Sequence, residues 1–233
     1  MTPLLEAIGV SLVPRLKSLD LSCSGGELIA LVGANGSGKT SLLRALARVP
    51  QAGGTVRIDG EEVDRAPEAR RRALLALLPA SREVAWPISV CDIIALGLPG
   101  GDRGQVERMI SEFALGAVRD RAIGTLSTGE RSRALLARAM VAASRLLLLD
   151  EPLANLDPYW TLRTLELLRS AAQGGAAVII ALHDLSQINA FDRLILLRDG
   201  TVAGDGPPDR MQPMLGALFG VEATVDGWRI SRR

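Results

Sequence analysis

The chain has 233 residues, 48% of them hydrophobic, and its 27 Lys and Arg nearly cancel its 26 Asp and Glu to leave a net charge of +1. That length can bury a sizeable α/β core with an inserted subdomain, and the even charge gives no global field for gathering nucleic acid. Two distant cysteines, Cys23 and Cys91, exclude a disulfide framework, suit a reducing compartment and read as small buried apolar residues.

Residues 4 to 32 hold short apolar runs, a turn at Ser24-Gly25-Gly26, and then the run Leu28 to Val32. The opening Met1-Thr2-Pro3-Leu4-Leu5-Glu6 lacks the basic start and long apolar core of a signal peptide. No apolar stretch approaches the roughly 18 residues of a membrane helix, so a soluble protein is expected, with a membrane partner still open.

After Val32 comes Gly33-Ala34-Asn35-Gly36-Ser37-Gly38-Lys39-Thr40, followed by Ser41 and an apolar helical pattern to Leu46. Strand, glycine loop and helix together make the P-loop pattern in its required context. Three glycines let backbone N–H groups turn inward around an anion, and the helix N-terminus adds its own unpaired amides. Lys39 would reach the β- and γ-phosphates of a nucleotide, and the Thr40 hydroxyl would ligate Mg²⁺.

Further on, Gly53 to Gly60 reads as a strand closed by an Asp-Gly turn, an antiparallel edge beside a parallel core. Pro67 to Ala76, with Arg70, Arg71 and Arg72, reads as a helix whose basic cluster is a solvated face or a docking face. Leu74 to Leu78 reads as a strand ended by Pro79. The stretches Val90–Leu96, Gln105–Phe113 and Arg131–Ala143 read as helices of an inserted subdomain, broken by Pro99-Gly100-Gly101-Asp102.

The runs Leu146 to Leu149 and Val178 to Leu182 are apolar at every position, as strands buried on both faces of a parallel sheet require. Leu194–Leu197, Arg198-Asp199-Gly200 and Thr201-Val202 read as a hairpin, and the tail from Pro207 as a short helix with an irregular end. The fold expected is therefore α/β, a P-loop NTPase core of mainly parallel sheet with an antiparallel β subdomain and an inserted helical subdomain. The core would take about residues 1–79 and 145–233, and the helical part about 80–144.

Asp150 and Glu151 follow the leucine run at the carboxyl end of a buried strand, where open α/β sheets bind ligands. One carboxylate there can hold Mg²⁺ and its neighbour can polarise an attacking water. His183, the only histidine, also follows an apolar strand; it reads as a hydrogen-bonded structural residue or as a contact to the γ-phosphate or the water. Leu126-Ser127-Thr128-Gly129-Glu130 opens a helix expected from Arg131 to Val141, with Ser127 as its cap or as an anion contact.

Together these residues resemble the ATP-binding subunit of ABC transporters. The phosphate loop, Ser127-Thr128-Gly129-Glu130, Leu149-Asp150-Glu151-Pro152, Leu156-Asp157 and His183 stand in that family's order and approximate spacing, from about residue 5 to 222. The resemblance implies an ATPase in which Ser127 to Glu130 act on ATP held by the P-loop of a second subunit. Asp157 would lie on the loop crossing that dimer, His183 would be the γ-phosphate switch, and ATP and Mg²⁺ would be the ligands. It implies a homodimer, or a pair with another ABC ATPase, docked on transmembrane permease subunits near residues 80–98 at the cytoplasmic face of the membrane. An extracytoplasmic substrate-binding protein would join through the complex, and nucleic acid would not.

Three departures from the family pattern stand out. Ala80 takes the place of the usual glutamine after the second strand, leaving Ser81 or Arg82 as substitutes. No aromatic residue precedes Trp86, so adenine contact falls to Val10–Val13 or Arg15, and Thr128 replaces the first signature glycine. The stretch from Ala85 to Gly97 and the ending near Phe219 resemble importers of iron-siderophore, haem and cobalamin complexes. Zinc or manganese importers, exporters and a nucleotide-gated switch of little turnover are the alternatives. Trp86 and Ile88 read as permease anchors or as plain packing of the helices.

Overall fold

The computed structural model describes residues 2–81, 86–98, 100–224 and 227–230, with only the backbone course after residue 220. In chain order the elements are β1 (Leu5–Leu12), β2 (Leu16–Cys23), β3 (Leu28–Val32), α1 (Lys39–Leu46), β4 (Gly53–Ile58), β5 (Glu61–Glu62), α2 (Glu68–Leu74) and β6 (Leu75–Leu78). There follow α3 (Val90–Ala95), α4 (Arg103–Glu112), α5 (Thr128–Met140), β7 (Leu146–Asp150), α6 (Pro158–Gln173) and β8 (Ala177–Ala181). The chain closes with β9 (Arg193–Arg198), β10 (Thr201–Gly206), α7 (Pro208–Phe219), β11 (Val221–Thr224) and β12 (Gly227–Ile230).

A six-stranded sheet in the order β10-β9-β3-β8-β7-β6 forms the centre, parallel throughout except at β10. Every residue of β3, β7 and β8 is buried, which explains the uninterrupted apolar runs. Successive side chains of a strand point to opposite faces, so Leu147, Leu149, Val178 and Ile180 enter one core with α3 to α6, while Leu146, Leu148, Ala177 and Ile179 enter a second core. That second core lies against α1 and a separate antiparallel sheet, β2-β1-β4-β5. The antiparallel strand expected beside the core thus belongs to a sheet of its own, not to an edge of the central one.

Helix starts follow local capping chemistry. Ser89 caps α3 by accepting the Asp92 N–H at 3.1 Å, and Asp102 caps α4 by accepting the Gly104 N–H at 2.8 Å. α5 starts at Thr128, three residues before the expected Arg131, because Ser127 and Glu130 form a capping box that fixes the first turn there. Leu74 completes α2, so the next strand starts at Leu75. The tail beyond α7 is not irregular: β11 and β12 pair as an antiparallel hairpin.

Candidate active site

Three neighbouring strands of the central sheet, β3, β8 and β7, release the chain at the same edge. The loop 33–38 leaves β3, Asp150 ends β7, and His183 lies two residues past β8. Register makes the meeting possible: Asp150 pairs with Ala181, so Glu151 and His183 step off adjacent strands together.

The glycine loop is packed as tightly as it reads. A Cβ on Gly33 would stand 2.4 Å from the Leu197 carbonyl oxygen and 2.5 Å from the Ser37 Oγ, so only glycine fits. Gly38, at φ +107°, is in the region that favours glycine and caps α1. Lys39, 7% exposed, folds back so that its Nζ donates to the carbonyls of Gly33 at 2.7 Å and Ala34 at 3.3 Å. Burial pulls its amine below the ordinary lysine range, and the charges of Glu151 and Asp150 oppose that shift.

Asp150 is 2% exposed, and its Oδ1 has no hydrogen-bond partner among the described residues. Burial raises its carboxyl above the usual range, against a hydrogen bond from Thr40. A buried, unpartnered carboxylate oxygen beside the Thr40 hydroxyl and Lys39 suits a hard cation that draws its other ligands from phosphate and water. Among the described residues no cluster of three or more acidic, His or Cys ligands exists.

Glu151 sits at φ +52°, a conformation costly for a non-glycine residue, and such strain concentrates at functional positions. Its N–H donates to the Ala181 carbonyl at 3.2 Å, and its Oε1 lies 2.6 Å from the His183 Nε2. Both side chains line one cleft with Arg15 and residues 35–41. Arg15 comes from the β1–β2 turn, and its carbonyl packs against Gly38 and Gly200. Of the adenine candidates, Val10 is wholly buried in the core, whereas Val13 is 83% exposed. Val10 is thereby closed to a base, whereas Val13 and Arg15 lie on the exposed turn.

Ser127, Thr128, Gly129, Glu130 and Asp157 do not line this cleft. Ser127 and Thr128 are exposed, with the Ser127 hydroxyl donating to Glu130 Oε2 at 2.7 Å and holding that carboxyl below the usual range. Asp157 caps α6 by accepting the Trp160 N–H at 2.8 Å. Ala80 and Ser81 are exposed after β6, and Arg82 lies outside the described residues with Glu83 to Ala85 and Pro99. Of the two apolar anchors expected nearby, Trp86 is 73% exposed while Ile88 packs against the helical core.

Two features have no signal in the sequence. Gln187, past His183, lines a second hollow behind the Glu151–His183 pair and keeps its Oε1 buried and unpartnered. The guanidinium of Arg133 stacks 4.3 Å over the Trp160 ring, joining α5 to α6 across the intervening β7.

Glycine loop, buried lysine and an Asp-Glu pair on the parallel strands beside it define the class, a P-loop nucleoside-triphosphate hydrolase. The chain belongs to the ABC transporter family, whose profile matches residues 16–154. A hemin import ATP-binding protein HmuV of Streptomyces coelicolor is 40% identical over 210 residues, 85% of this chain and 74% of that one. The protein of the same description from Rhodopseudomonas palustris strain HaA2 is 39% identical over 89% of this chain and 86% of that one. A solved ATP binding subunit of an ABC transporter superposes with a TM-score of 0.80 over 92% of this chain and 94% of its own, at 23% identity. A bacterial Atm1-family ABC exporter with ATP bound gives 0.81 over 93% of this chain and 41% of its own, at 26% identity. The chain is an ATP-binding and ATP-hydrolysing subunit of that family, and among its described residues no helix is long and apolar enough to cross a membrane.

Proposed function

We propose that this chain energises an importer of a metal chelate of the haem class. It would work as a pair of copies at the cytoplasmic face of the membrane, docked on permease subunits through residues 80–98, with an extracytoplasmic substrate-binding protein delivering cargo. The relatives described as hemin import proteins support the cargo class. The exposed Trp86 in the 80–98 stretch supports the docking face.

One observation carries the paired arrangement. Lys39, Thr40, Asp150, Glu151 and His183 gather at one edge of the sheet, while Ser127 and Thr128 point to solvent away from their cleft. That exposure outside the cleft supports the reading that the signature loop acts on the nucleotide of a second copy. ATP would then bridge two subunits and ADP would not, so hydrolysis separates them by differential binding.

Within the cleft the loop amides and Lys39 cradle the phosphates, and the cleft around Val13 and Arg15 receives the base. Glu151 accepts a hydrogen bond from the attacking water and takes its proton as the water oxygen bonds to the γ-phosphorus, while His183 orients Glu151 and contacts the γ-phosphate. Thr40 and Asp150 would hold Mg²⁺, which supplies charge neutralisation at the phosphate oxygens. The helical stretch of about residues 80–144 would serve as a subdomain carrying both the signature loop and the permease face.

The test is phosphate release by the purified protein over a range of protein concentrations, beside Glu151→Gln. Specific activity that rises with protein concentration and vanishes in the variant supports a composite site. Specific activity independent of concentration overturns it. Ala80, which cannot make the contacts of a glutamine, favours a second reading as a nucleotide switch, and bound ATP without turnover at any concentration would select it.

A further inference from the structure

We propose that Arg133 and Trp160 form a clamp that fixes Ser127 and Asp157 in one spatial relationship, making Arg133 and Trp160 positioning residues for the pairing of two copies. This rests on the paired arrangement proposed above.

Arg133 stands six residues past Ser127 on α5, and its guanidinium reaches two other elements. It donates through Nη1 to the carbonyls of Phe113 at 2.5 Å and Ala114 at 3.1 Å, just past the end of α4. Its plane lies 4.3 Å over the ring of Trp160 in the first turn of α6. Among the described residues no carboxylate lies within ion-pair distance of Arg133; burial works against its charge, and the more distant Glu130 and Asp157 oppose that effect. A half-buried cation so placed depends on the aromatic face and the two carbonyls for what water no longer supplies.

Trp160 is held from several sides. Tyr159 meets it edge-on with centroids 5.4 Å apart, its ring packs against the helical core, and its backbone N–H donates to the Asp157 carboxylate at 2.8 Å. The ring under the Arg133 guanidinium thus belongs to the residue whose backbone N–H is capped by Asp157, so the stack fixes the backbone turn that carries Asp157. A second contact lies a turn away: a Cβ on Gly129 would stand 3.5 Å from the Asn155 carbonyl oxygen, so α5 begins against the same loop. That loop runs from Glu151 to Asp157 and is closed internally by the Ala154 N–H on the Glu151 carbonyl at 3.1 Å. Shifting α5 on α6 would therefore move the two partner-facing residues relative to each other and disturb the loop that begins at Glu151.

The experiment uses the full chain carrying Glu151→Gln, with Mg-ATP, and measures by sedimentation the protein concentration at which half is paired. Nucleotide affinity of the dilute single subunit is measured alongside with a fluorescent ATP analogue, and folding by thermal denaturation. Trp160→Leu should raise the pairing midpoint about tenfold and leave single-subunit affinity within twofold. Trp160→Phe, which keeps a smaller ring, should raise it two- to threefold, and it carries the test if the leucine variant does not fold. Arg133→Lys, which keeps the cation, should fall between parent and Trp160→Leu. Unchanged midpoints in folded variants overturn the clamp, as does a parallel loss of single-subunit affinity. A Glu151→Gln parent that never pairs with ATP overturns the paired arrangement itself and the clamp with it.

Discussion

The Oε1 of Glu151 and the Nε2 of His183 face each other at 2.6 Å, although 32 residues separate them in the chain. Adjacent parallel strands bring them together, and the left-handed backbone at Glu151 turns its side chain across the strand ends toward the histidine. In the mechanism proposed above the carboxylate polarises water and the imidazole sets its direction.

Replacing Glu151 by glutamine removes the base of the proposed mechanism and keeps the shape. Phosphate release should fall by about 10²–10⁴-fold, while ATP affinity stays within a few fold of the parent. Rapid-quench turnover and equilibrium nucleotide binding check both halves, and a variant that hydrolyses like the parent would remove Glu151 from the mechanism.

His183→Ala removes the imidazole contact of Glu151 without touching the phosphate loop. Turnover should drop by about 10–100-fold with KM for ATP little changed, as expected for an interaction that matters mainly in the transition state. Steady-state kinetics decide it: a rise in KM alone would assign His183 to ground-state binding.

Asp150→Asn should abolish turnover but stabilise the protein in the absence of nucleotide. Burial raises the Asp150 carboxyl in the folded state. Between its unfolded and folded values the folded chain therefore holds a proton that the unfolded chain has lost, so this group's contribution to stability falls as pH rises through that window. Above that window the penalty is complete. The melting temperature of the variant should exceed the parent's there, with the gap closing as the pH falls toward the usual aspartate range. An equal melting temperature at all pH values would contradict this.

Gly33→Ala places a methyl group 2.4 Å from the Leu197 carbonyl oxygen, which belongs to a central strand and has no room to move. Such overpacking costs about 1–3 kcal/mol, and for a domain of this size about 2–4 °C of melting temperature per kcal/mol. Calorimetry should show that loss together with weakened ATP binding, since the strand and the phosphate loop must separate to admit the methyl.

Thr128 is exposed at the first turn of α5, where the family has glycine. Thr128→Gly should increase turnover severalfold at high protein concentration, since backbone could then approach a facing phosphate, with the capping box of Ser127 and Glu130 intact. Unchanged turnover would mean that the hydroxyethyl side chain stands clear of the nucleotide.

Where a motif is local, the sequence was enough. Gly33 to Thr40 specifies strand, loop and helix by itself, because glycine freedom, helix capping and the preceding apolar run act within a dozen residues. The wholly apolar runs ending at Asp150 and before His183 likewise announced doubly covered strands, and with them the edge where ligands bind. Chain order could not show that the antiparallel strands close into their own sheet over α1, because strand pairing is settled by which apolar faces must cover each other. It could not distinguish Val10 from Val13 either, since both are valines and only burial separates the core residue from the exposed one. The Glu151–His183 contact depends on the β7–β8 register, and the Arg133–Trp160 stack on how α5 crosses α6. Both are long-range placements that no local propensity encodes, so the sequence determined the chemistry available to this protein, and tertiary packing decided which groups share a site.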